Sequence, residues 1–90
     1  IVFAVVVRNS VSGNIMAGPD ILSKGFLEEG HKTELIDDAK SVMIDAIDAW
    51  ENSGTKDTPA LQEELRVKLR RYFNARIGKK PVVIPIVVDV

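Results

Sequence analysis

Between residues 66 and 80 the chain carries Arg66, Lys68, Arg70, Arg71, Arg76, Lys79 and Lys80 and no acidic residue, seven positive charges in fifteen positions. Cations at that density suit phosphate oxygens, and binding built on them weakens steeply as salt rises. Arg66, Arg70, Arg71, Arg76, Lys79 and Lys80 are therefore candidate RNA-contact residues. The same run also has a purely structural explanation. Cations late in a helix complement its dipole, and they can pair with Glu63 and Glu64 one turn earlier. Tyr72 and Phe73 fall on the apolar side of that helix, so no aromatic platform is offered for stacking bases.

Other chemistry is hard to assemble. His31 is the single histidine and cysteine is absent, which excludes disulfides and thiolate metal sites and is compatible with a reducing compartment. Asp45, Asp48 and Glu51 share a helical face but are spaced along it instead of converging, as the solvated side of an amphipathic helix would be. Serines lack a neighbouring histidine to activate them. Ser23-Lys24-Gly25 could form an anion-binding nest, but it opens no helix and lacks P-loop spacing. No catalytic residue, metal ligand or cofactor is expected in this chain.

The elements that position these residues are few. Ninety residues with 46% apolar composition make one domain with one core, and 12 basic against 13 acidic residues leave bulk charge near zero. No run reaches eighteen apolar residues and no signal-peptide pattern precedes the first strand, so no membrane partner is expected. A start inside a strand without Met is the expectation for a domain excised from a longer chain.

Ile1 to Val7 is apolar at both parities and reads as a central strand. Asn9-Ser-Val-Ser-Gly13-Asn14 has hairpin-turn chemistry, with Gly13 free to take positive φ. A returning strand from Ile15 meets Gly18-Pro19, which marks an edge. Two helices follow. The first, Thr33 to Asn52, buries Leu35, Ile36, Ala39, Val42, Met43, Ala46, Ile47, Ala49 and Trp50, leaves Ile44 on its acidic face, and ends at Gly54. The second opens with Thr58 as N-cap and Pro59 at N1, and buries Leu61, Leu65, Leu69, Tyr72 and Phe73. Gly78 breaks it. The closing run from Pro81 to Val90 is a second edge strand because of Pro85. The expected fold is α+β, a ββααβ chain whose three-stranded sheet, in the order 2-1-3, is covered on one face by the α-hairpin. Val2, Ala4, Val6, Val83 and Val87 are assigned to the uncovered face, where roughly 300 Å² of apolar surface would mark an interface.

Ala17-Gly-Pro-Asp-Ile-Leu-Ser-Lys-Gly-Phe26, two helices, and Lys79-Lys-Pro-Val-Val-Ile-Pro-Ile-Val-Val-Asp-Val90 together resemble the C-terminal domain of bacterial ribonuclease J. That family shows a G-P-x-I-x-S-R-G-F segment after a hairpin strand and an R-x-P-x-I-x-P-V-x-x-E-V ending. Lys24 stands where arginine is usual, and Asp89 where glutamate is usual. The resemblance implies a cytoplasmic RNA-processing parent. In that parent a metallo-β-lactamase domain with a β-CASP insertion carries out zinc-dependent 5′-3′ exonucleolytic and endonucleolytic hydrolysis. The H-x-H-x-D-H metal signature of that domain is absent here. The resemblance therefore implies a noncatalytic domain that supports self-association and full activity, with a second copy, the parent's catalytic domains or RNA as partners. The rival reading is a small-molecule-binding regulatory module that dimerises through its sheet, which a metabolite would stabilise against heat.

Overall fold

The computed structural model describes residues 1–23, 32–54 and 57–90. Along the chain run β1 (Val2–Arg8), β2 (Ile15–Ser23), α1 (Lys32–Asn52), α2 (Thr58–Ile77) and β3 (Val83–Asp89). The sheet order is β2-β1-β3, with β1 antiparallel to β2 and parallel to β3, so the expected α+β fold and 2-1-3 order hold. His31, Lys24, Gly25 and Phe26, and with them the nest reading, lie outside the described residues.

The hairpin turn is an Asx turn. Asn9 Oδ1 accepts the amides of Val11 at 2.8 Å and Ser12 at 3.0 Å, and Gly13 takes φ 78°. Asn9 N–H then donates to Asn14 O at 2.8 Å and starts the ladder.

Both proline-bearing strands sit at edges for a backbone reason. In β2 the register jumps from Val5↔Asp20 to Val7↔Ala17, so Gly18 and Pro19 together oppose Val6. The missing proline donor falls in that bulge, where no ladder bond is lost. In β3, Val2 N–H donates to Val82 O and Val90 N–H to Arg8 O, each at 2.9 Å. A parallel ladder then turns the even-numbered amides of β3 toward β1 and the odd-numbered ones outward. Pro85 thus deletes a donor from the free edge, and its carbonyl accepts from Gln62 Nε2 at 3.5 Å.

The helices cover one face. Leu35, Ala39, Met43, Ala46, Ile47 and Trp50 from α1 meet Leu61, Leu65, Leu69 and Phe73 from α2 in a single core. Trp50 Nε1–H donates to Asp57 O at 2.9 Å, so the buried indole leaves no polar atom unmet. Ala49, expected in the buried arc, is exposed, since it lies about 100° round the helix from the arc's centre. Gly54 and Gly78 end their helices at φ 81° and φ 67°.

Two further expectations are corrected. The N-cap of α2 is Asp57, in extended conformation and without a side-chain cap bond, and Thr58 is the first helical residue. The Thr58 hydroxyl is engaged elsewhere, accepting from Arg8 Nη1 at 2.7 Å.

The second correction concerns the sheet faces, which are reversed. Val2, Ala4 and Val6 are fully buried and Val83 is nearly so, all within the helix-side core, and Val87 packs against it. Alternation cannot choose between two apolar faces, but Arg8 can. It shares the parity of Val2, Ala4 and Val6, and on the helix side it meets Thr58, the Trp50 ring at 5.7 Å and Asp89 at 3.6 Å. Turning β1 over would remove the guanidinium from all three.

Candidate interaction surfaces

The uncovered sheet face is built from the opposite parity. Phe3, Val5 and Val7 form its centre, paired across β1 and β3 with Ile84, Ile86 and Val88. Leu22, the register partner of Phe3, extends it over β2. Leu22 is 62% exposed, Ile84 37%, Ile86 36% and Val88 41%. Asp20, whose side chain is 72% exposed and which is the register partner of Val5, bounds it on β2, so the apolar part is about two strands wide and seven residues long, roughly 220 Å² of sheet plane. A patch of a few hundred Å² is the size at which exposed apolar surface begins to mark interaction sites.

The basic run is divided by the fold. Arg66, Arg70, Arg71 and Lys80 line a shallow groove of about 430 Å³ on the outer side of α2, together with Val67 and Asn74. It is continuous with a second hollow of about 300 Å³, where Arg66, Arg70 and Lys80 meet Pro81, Val82 and Val83. Arg66 is forked onto Glu63, at 2.6 Å and 3.1 Å, one turn back. This hydrogen bonding, more than charge alone, holds the Glu63 carboxyl below and the Arg66 guanidinium above their usual ranges. Both groups are solvent-facing, so the pair adds little to stability.

Arg76 does not join the groove. It reaches back to α1, 3.3 Å from Asp38 and 4.0 Å from Glu34, with its guanidinium 5.9 Å from the centre of the Tyr72 ring. Lys79 and Lys68 are exposed and line neither hollow. Tyr72 and Phe73 pack edge to face at 5.1 Å, with Phe73 fully buried and Tyr72 partly buried against the core.

Asp45, Asp48 and Glu51 are exposed along α1, and among the described residues no three His, Cys, Asp or Glu side chains converge as a metal site would require. Among the described residues no helix is long and apolar enough to cross a membrane. Sequence reading missed Arg8 as an organising residue. Its signal was available, since a lone arginine closing an apolar strand must find acceptors on one side of the sheet.

A small mixed sheet, covered on one side by an α-hairpin and, among the described residues, uncovered on the other, defines a domain of the α+β class. The chain belongs to the Ribonuclease J C-terminal domain family, which it matches over residues 1–90. It is also 28% identical over 87 residues to Ribonuclease J 1 of Streptococcus pyogenes serotype M3 (strain ATCC BAA-595 / MGAS315), covering 97% of this chain and 16% of that protein. The chain thus spans about one sixth of the length of that relative.

Proposed function

We propose that the chain is a noncatalytic accessory domain of a longer RNA-cleaving enzyme and pairs with a second copy through its bare sheet face. Membership of the Ribonuclease J C-terminal domain family supports the first part of this reading. The observation that carries the pairing is the outer face itself, where Phe3, Val5, Val7, Ile84, Ile86 and Val88 stand together with no charged side chain between them. Such a face is complementary to its own copy, since two twisted sheets stack about 10 Å apart with their side chains interleaved. The charged Asp20 at its margin, opposite Val5, is already paired with Lys40 at 3.8 Å. Its area is below that of standard stable interfaces, so pairing is weak and concentration-dependent in the isolated chain. In the parent, joining to other contact surfaces strengthens it. Catalysis and any zinc belong to the parent's other domains, and the cytoplasm, where RNA is processed, is the setting.

Sedimentation at rising concentration tests this reading. The wild-type chain shifts from monomer toward dimer, and Val5→Asp, which places a charge at the centre of the face, stays monomeric while keeping its fold. A wild type that remains monomeric at the highest soluble concentration, or a Val5→Asp variant that pairs as well, overturns it.

A further inference from the structure

We infer that the groove along the outer side of α2, with Arg70, Arg71 and Lys80 as its cations and Asn74 between them, binds the phosphates of a single-stranded RNA segment. The inference rests on membership of a ribonuclease family and not on pairing through the sheet, which uses the other side of the molecule.

The fold makes the groove by sorting the charge. Arg76 is withdrawn to α1 by Asp38 and Glu34, and Arg66 is largely answered by Glu63. Arg70, Arg71 and Lys80 remain exposed, and among the described residues none of the three has an acidic group within ion-pair distance. They stand around one hollow whose lining, among the described residues, includes no carboxylate. Arg66 and Arg70 are one turn apart, about 6 Å along the helix axis, so successive phosphates of one strand can meet successive guanidinium groups. Each guanidinium offers a planar pair of donors to a phosphate. Beyond Lys80 the groove floor becomes Pro81, Val82 and Val83, an apolar surface against which a ribose or base can rest. The acids of α1, Asp45, Asp48 and Glu51, are exposed on a different helix. The near-neutral chain is therefore polar in charge, and a polyanion has one side to approach.

An acidic protein surface is the other class of partner for such cations. It fits less well. Hollows of about 430 and 300 Å³ each suit one small ligand or nucleotide unit, whereas a helix with its side chains is about 10–12 Å across.

The test is fluorescence anisotropy of a short labelled oligouridylate with the 90-residue chain across a salt series. Three neutralised phosphates give a log–log salt slope of about −2 and roughly a 20-fold loss of affinity between about 50 and 200 mM salt. Arg70→Ala with Lys80→Ala brings the slope to about −0.7, whereas Lys68→Ala, outside the groove, leaves it unchanged. Alanine is a good helix former, and circular dichroism on each variant confirms that the fold is kept. Absence of binding at low salt overturns the inference. So does an equal slope in the groove variant and the Lys68→Ala control, or polyglutamate competing as well as RNA. Sedimentation on the same samples separates the two proposals: intact pairing without RNA binding refutes the groove and leaves the accessory reading standing.

Discussion

Two charge substitutions on neighbouring strands should behave oppositely, because the fold assigns their side chains to opposite faces. Val6 is fully buried against the helices, and Ile86 is 36% exposed on the bare side. A domain of this length has a total stability of about 5–13 kcal/mol. Val6→Asp replaces a packed valine by a carboxyl group with no partner, costing about 4–5 kcal/mol and thus a large share of that total. Ile86→Asp leaves its carboxylate in water and costs about 1 kcal/mol, mostly from lost strand preference and partial burial. Urea unfolding followed through Trp50 fluorescence measures both, at a dilution where the wild type is monomeric. The gap of about 3 kcal/mol should narrow in acid. A buried Asp has a raised folded pKa, so the Val6→Asp penalty sets in as pH climbs through the unfolded value near 4 and shrinks below it. Equal costs at the two sites, or a larger one at Ile86, would refute the assignment of faces.

Two further outcomes follow from local geometry. Gly78 takes φ 67°, and a Cβ built there meets no atom within 4 Å, so Gly78→Ala should lose only backbone energy. That loss is about 1 kcal/mol, a fall in melting temperature of about 4–8 °C. The Tyr72 hydroxyl titrates above its ordinary range. Burial is the main cause, Arg76 opposes it, and Asp38 and Glu34 add to it. A raised tyrosine pKa means that the fold prefers the neutral ring. Its contribution is complete below the unfolded value near 10 and is lost as pH rises from there through the folded one. Tyrosinate absorbance should therefore appear at higher pH in the native chain than in urea.

The topology was legible because backbone chemistry constrains it strongly. Pro19 and Pro85 cannot sit in a central strand, Gly13 admits the tight turn, and Gly54 and Gly78 mark the helix ends, so order 2-1-3 followed from a few residues. The choice of face was not legible. Val2, Ala4 and Val6 differ too little from Phe3, Val5 and Val7 in hydropathy, and the polar contacts of Arg8 with Thr58 and Asp89 are long-range. The candidate RNA surface was legible as composition only. Arg76 leaves it because Glu34 and Asp38 lie on the other helix, a proximity that no local spacing encodes. Thr58 lost its expected capping role for a similar reason, because a guanidinium from the sheet competes for the hydroxyl.

The prolines at the two margins also limit how far assembly can go. With a donor removed from the β3 side and a bulge on the β2 side, lateral growth strand by strand is obstructed, which is the route to fibrils. Under the proposed pairing the bare side is consumed by the first copy that meets it, so each molecule would have a valence of one. Crowding should therefore raise the fraction of closed pairs and leave longer polymers unpopulated.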